Sequence, residues 1–132
     1  MEKKPKLLNK KRILMSGNSS ISNKIVEQAL KNIEVEEIIE ENIITKFLSK
    51  VFMTEPKLVI FIHEKVQDNI EFAKHIRNNP KFLDLPIIAL SLPLKKDNMM
   101  INKKIADLNI KYFYTPCNVP ELSKTIKDFL ST

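Results

Sequence analysis

Residues Leu58, Val59, Ile60, Phe61 and Ile62 form an unbroken apolar run, rich in β-branched and aromatic side chains. A strand with one face in water alternates apolar and polar residues, so this run fits a strand buried on both faces. "LPIIALSL" (Leu85 to Leu92) is a second run of the same kind. Strands of this type need helices above and below them, which points to a parallel sheet.

Around these runs the apolar spacing changes to three and four residues. Ile25, Val26, Ala29, Leu30 and Ile33 lie on one helical stripe, and Ile43, Ile44, Phe47, Leu48, Val51 and Phe52 on a second. A third helix carries Ile70, Ala73 and Ile76, with Asp68 or Asn69 expected as its cap. Residues 95–108 read as a weaker helix with Met99, Met100, Ile105 and Leu108 as its apolar contacts. The last helix carries Leu122, Ile126, Phe129 and Leu130; Asn118 and Glu121 fit a capping box, and Pro120 sits in the first turn. Shorter strands are expected at 12–16, at 35–39 on a sheet edge, and at 111–116. Five strands then alternate with five helices, joined by right-handed crossovers.

A chain of 132 residues with 43% hydrophobic and 29% charged residues suits one folded domain. Its net charge of +6 is uneven: residues 1–12 carry +5, because Lys3, Lys4, Lys6, Lys10, Lys11 and Arg12 face Glu2 alone. The expected organisation is a mobile basic leader at 1–11 and a near-neutral domain at 12–132. Weak contact with phosphates or acidic membranes is expected of the leader alone. No apolar stretch approaches the roughly 18 residues that span a bilayer. The start of the chain also lacks the apolar segment of a signal peptide. A cytoplasmic protein without membrane insertion is the expectation.

The single cysteine, Cys117, has no partner for an internal disulfide and no ligand-spaced neighbour. Glycine occurs once, at Gly17, which leaves no GxGxxG and no P-loop. Asparagine occurs twelve times and tolerates left-handed backbone, so some Asn residues are expected at turns usually given to glycine. No nucleophile–base pair, metal-ligand cluster or phosphate loop marks a metabolic enzyme.

Several motifs in register resemble the bacterial response-regulator receiver domain. "IRNNPKFLDLPIIALS" (Ile76 to Ser91) resembles the receiver segment from the third helix through the fourth strand. "ADLNIKYFYTP" is similar to the family's Ala-x-x-Gly-Ala-x-x-Tyr/Phe-x-x-Lys-Pro, and "NVPEL" to the Asp-Pro-x-Glu-Leu that opens its last helix. The resemblance covers about residues 12–131. It implies a flavodoxin-like doubly wound (βα)5 fold of strand order 2-1-3-4-5, with a site at the C-terminal strand ends.

The family's phosphotransfer uses an acidic pair for Mg²⁺, an acceptor Asp, a Ser/Thr and a Lys before Pro. Carried over, the acidic pair falls on Gly17 and Asn18, and the acceptor on Ile62. The Ser/Thr position is Ser91, which matches; the lysine position is Thr115; Pro116 matches and implies a cis bond. Mg²⁺ prefers hard oxygen ligands, so no cofactor is expected and Mg²⁺ is not expected to bind tightly. The resemblance therefore implies a degenerate pseudo-receiver: not an enzyme, but a phosphorylation-independent protein–protein interaction module in bacterial signal transduction.

Tyr112 matches the family's aromatic switch, and Lys103, Asp107, Tyr112 and Lys124 form the candidate face toward an unidentified signalling partner. The alternative is a genuine response regulator phosphorylated at a displaced acceptor, Asp68, Glu64 or His63. His63 itself is expected to be a structural histidine, and His75 a surface residue. Nucleic-acid binding through the leader is a third reading, which the near-neutral domain does not favour.

Overall fold

The computed structural model describes residues 11–131; the leader at 1–10 and Thr132 lie outside the described residues. Five strands, β1 (Arg12–Ser16), β2 (Glu37–Glu40), β3 (Leu58–Phe61), β4 (Ile87–Ser91) and β5 (Ile110–Tyr114), alternate with five α-helices. The helices are α1 (Ser20–Leu30), α2 (Ile44–Thr54), α3 (Val66–Arg77), α4 (Met99–Asp107) and α5 (Val119–Leu130), and a 3-10 turn spans Pro80–Phe82. All strand pairs are parallel, in the order β2-β1-β3-β4-β5. The fold is thus the flavodoxin-like doubly wound sheet of order 2-1-3-4-5.

The apolar run of β3 is explained by the two faces it serves. Leu58, Ile60 and Ile62 pack with Val26 and Ala29 of α1 and Leu122, Ile126 and Leu130 of α5. Val59 and Phe61 turn the other way, toward Phe47 and Val51 of α2 and Phe72, Ala73 and Ile76 of α3. On that second face the rings of Phe47, Phe61 and Phe72 meet pairwise with centroids 5.2–5.4 Å apart. Such tilted and edge contacts suit the aromatic quadrupole.

Helix starts follow side-chain chemistry where it is present. Ser19, Asn98 and Asn118 accept hydrogen bonds from the first turns of α1, α4 and α5. The cap expected at Asp68 or Asn69 is not there: α3 begins at Val66 behind Lys65, without a side-chain cap. Asp68 lies in the first turn, and the Asn69 amide is engaged in the interior. Nor do Met99 and Met100 serve as apolar contacts of α4, being 85% and 71% exposed; Ile101 is the buried anchor, where α4 meets Val66 and Ile70 of α3. His75, expected at the surface, is half-buried.

Left-handed turns are given to residues other than glycine. Asn109, between α4 and β5, has φ 55°, and Glu55, closing α2, has φ 49°. The first meets the expectation for Asn at turns. Below the sheet, the Arg77 guanidinium donates to the carbonyls of Leu108 (2.7 Å), Phe82 (2.7 Å) and Asn109 (3.2 Å), tying the α3–β4 and α4–β5 connections together. None of the described helices is long and apolar enough to cross a membrane.

Candidate functional site

In a doubly wound sheet the crevice lies beyond the carboxyl ends of the strands. Here β1 ends at Ser16 and passes into Gly17, whose φ is 128°. A Cβ at Gly17 would stand 2.5 Å from the Ile62 carbonyl carbon and 2.8 Å from the His63 nitrogen. The loops after β1 and β3 therefore touch backbone to backbone, and the chain's single glycine stands where that contact requires one. Ile62 N–H donates to Ser16 O (2.8 Å), and Ser19 N–H to Ile62 O (3.2 Å).

Ile62 lies just past β3, is 3% exposed, and packs among Ile13, Met15, Val26 and Ile60. Its neighbour His63 takes the opposite face, stacking on Phe72 with centroids 4.6 Å apart and meeting Ser16 Oγ through Nε2 at 3.2 Å. Burial pushes the His63 pKa below its ordinary value, and Asp68 offsets part of that shift. Glu64 and Asp68 are exposed, on the loop after β3 and in the first turn of α3.

On the other side of the crevice stand Ser91, Tyr112 and Thr115. Tyr112 hydroxyl donates to Ser91 Oγ (2.7 Å), and Ser91 hydroxyl donates to Leu92 O (3.1 Å). Thr115 is buried, with its N–H on Ser91 O at 2.9 Å, and is joined to the exposed Pro116 by a cis bond, as expected. Burial raises the Tyr112 pKa to about 12, although its bonds to Ser91 and Asn69 pull the other way.

The two sides are joined by a residue that sequence reasoning did not single out. Asn69 is 0% exposed; its Oδ1 accepts from His63 N–H (3.0 Å), while Nδ2 donates to Leu90 O (3.0 Å) and Tyr112 Oη (3.0 Å). A directed chain results: Asn69 amide to Tyr112 hydroxyl, to Ser91 hydroxyl, to Leu92 carbonyl. Each donor has an acceptor, so the chain is satisfied and its members polarise one another. The signal was available, because Asn69 stands at i with Phe72, Ala73 and Ile76 at i+3, i+4 and i+7 on the buried stripe of α3.

A cleft of about 300 Å³ opens beside this crevice, lined by Met15, Gly17, Asn18, Asn23, Glu40 and Asn42 among others. Asn42 Oδ1 accepts from Gly17 N–H at 2.9 Å. Glu40 is the one carboxylate among the described lining residues. No group of three His, Cys, Asp or Glu side chains stands together among the described residues.

Of the candidate partner face, Lys103, Asp107 and Lys124 are exposed and Tyr112 is half-buried with its hydroxyl turned inward. Each charge is paired within its own helix: Lys103 with Asp107 at 2.8 Å, Lys124 with Asp128 at 3.0 Å. The side-chain bond to Asp107 raises the Lys103 pKa. Tyr114 lies against Tyr112, ring centroids 4.9 Å apart, with its own hydroxyl buried and unbonded among the described residues.

These features define a CheY-like α/β fold with a closed crevice at its strand ends. The solved structures similar to it are response-regulator receiver domains. The Vibrio cholerae chemotaxis protein CheY4 is 17% identical, with a TM-score of 0.67 over 91% of this chain and 98% of that one. A response regulator from Desulfuromonas acetoxidans is 20% identical, TM-score 0.64, covering 92% and 97%. The CheY-like protein tadZ from Pseudomonas aeruginosa is 8% identical, TM-score 0.67, covering 90% and 98%. No family model and no curated protein matches the chain. At these identities the likeness is one of fold.

Proposed function

We propose that this chain is a phosphorylation-independent pseudo-receiver, a protein–protein interaction module of bacterial, cytoplasmic signal transduction, and not an enzyme. The observation that supports this most is the position of Ile62. Where the receiver resemblance puts a phosphoacceptor, the chain has an alkyl side chain 3% exposed within a hydrophobic cluster. Phosphoryl transfer needs metal and cationic charge around the phosphoryl oxygens. Gly17, Asn18 and Thr115 supply neither carboxylate nor ammonium there. A hard cation such as Mg²⁺ finds amide oxygens and the exposed Glu40 in the adjoining cleft, a poor donor set for it.

Tyr112 is held inward by Asn69 and Ser91. In this reading α4, β5 and α5 present one standing conformation to a signalling partner. Lys103, Asp107 and Lys124 give that face its charge, and the exposed Met99 and Met100 give it adaptable apolar contact. The test is a titration with Mg²⁺ and a small phosphoryl donor, followed by amide NMR shifts at Ser91 and Thr115. Unchanged shifts are expected. Saturable shifts, or phosphate recovered on Asp68, Glu64 or His63, overturn the reading.

A further inference from the structure

β2 closes one side of the sheet, and no described strand lies beyond it. Just before it, Glu36 N–H donates inward to Lys11 O (3.0 Å). Alternate residues of a strand bond to opposite neighbours, so Glu37 and Ile39 turn main-chain N–H and C=O groups outward. Such an edge is a template for another chain unless something covers it. Ile38, in the middle of this strand, is 46% exposed.

Side chains along β2 divide between two faces. On one, Glu37 pairs with Arg12 at 3.2 Å, and Ile39 packs against the cluster of Phe47 and Phe61. On the other, Glu36, Ile38 and Glu40 are all exposed, and neither glutamate has an ion-pair partner among the described residues. Residues 34–41 hold five glutamates and no lysine or arginine. At Glu40 this face runs into the cleft of about 300 Å³ that Asn18, Asn23 and Asn42 also line. Amide and carboxylate oxygens there can accept from an ammonium or guanidinium group. The charges also decide the occupant. A second β2 laid along the first sets glutamates against glutamates, and like charges directly opposite are destabilising. A strand with Lys or Arg opposite Glu36 and Glu40, and an apolar residue opposite Ile38, complements all three.

We propose that the outer edge of β2 docks an extended basic segment of a partner protein by strand addition, with the pattern Lys/Arg-x-apolar-x-Lys/Arg. The outward groups of Glu37 and Ile39 take its main chain, and the basic residue at Glu40 places its head in the amide-lined cleft. The pattern is the same in both directions, so parallel and antiparallel addition both satisfy it. The docking does not depend on phosphorylation, and its test reads β2 rather than Ser91 and Thr115.

The probe is a capped peptide, Thr-Lys-Thr-Val-Thr-Lys-Thr, titrated into the full-length chain and followed by amide NMR. Saturable shifts are expected across residues 36–42, with exchange of the Glu37 and Ile39 amides slowed about tenfold. Changing both exposed glutamates, Glu36→Lys with Glu40→Lys, should abolish these effects. A peptide with glutamate in place of each lysine should restore them in that variant. The original peptide N-methylated along its main chain keeps its charges but has no N–H to pair, and should bind at least about tenfold more weakly. Equal binding of the methylated peptide assigns the contact to charge alone. Shifts that are absent, or that lie away from β2, remove the site. Protection of Glu37 and Ile39 that rises with protein concentration, without peptide, gives the edge to a second copy. Each of these three results overturns the proposal.

Discussion

The β1–β3 side of the crevice and the β4–β5 side are built on different principles. On the first, Gly17 and Ile62 meet through backbone and alkyl groups, with no side-chain charge. On the second, Ser91, Tyr112 and Thr115 remain polar, buried or half-buried, and bonded in series. By the receiver resemblance, the first side is where phosphate would be taken up and the second where its presence would be sensed. On the proposed function, the first side has no group to take up phosphate, while the second fixes the orientation of Tyr112. Asn69 ties the two sides together.

Ile62→Asp attacks that contrast most directly and should have the largest effect. It removes a buried alkyl group and places a carboxyl in an apolar cluster, a loss of about 4 kcal/mol at neutral pH. Burial would raise the folded-state pKa of the new group above its unfolded value. Both states are protonated at low pH, so the penalty grows as pH rises from about 4 toward 7. Denaturant titrations at the two pH values measure this. On the proposed function the variant also takes up no phosphate from a small donor, because Gly17, Asn18 and Thr115 are unchanged.

Gly17→Ala comes next. The added Cβ would meet the Ile62 and His63 backbone, and φ 128° is itself strained for an L side chain. Strain and overpacking together are expected to remove on the order of 3 kcal/mol, read as a lower urea midpoint. If the variant keeps its stability, the close approach of the two loops is not a constraint on this position.

Asn69→Ala should follow at about 2 kcal/mol, since it leaves the His63 N–H without an acceptor and the Tyr112 oxygen with its bond to Ser91 alone. The specific mark is faster amide exchange at His63. Free rotation of the Tyr112 ring, seen as averaged ring resonances, would show that Asn69 is what holds it inward.

Strand and helix order was legible because both apolar strands and helical stripes are set by burial, a property each residue carries locally. Ile43 to Phe52 is an example: its stripe forms α2 although no side chain caps that helix. Asn69 was misread for the complementary reason. Near a helix start, Asn has a ready local use as a cap, and only the fold shows that three elements place better partners around its amide. Met99 and Met100 were misread because hydropathy does not distinguish a core contact from an exposed apolar surface. That Gly17, Asn18 and Ile62 carry no carboxylate, by contrast, needed no structure, because residue identity alone states it.

The smallest expected effect belongs to His63, at the junction of the two sides. Its folded-state pKa lies below the ordinary value because burial against Phe72 disfavours the imidazolium, with Asp68 acting weakly against that. The unfolded chain then binds the proton more tightly, so stability falls as pH drops through the unfolded pKa near 6.5 and is regained above it. Ser16 Oγ can accept from the charged ring as readily as it can donate to the neutral one. The hydrogen bond therefore survives protonation, and the pH effect should stay below about 1 kcal/mol. A His63→Gln variant removes the titration but keeps a side chain able to bond Ser16. Its stability profile between pH 5 and 8 (approximately the range of an ordinary histidine) should be flatter than that of the parent. An equally steep profile would place the titrating group elsewhere and leave the two sides of the crevice uncoupled from pH.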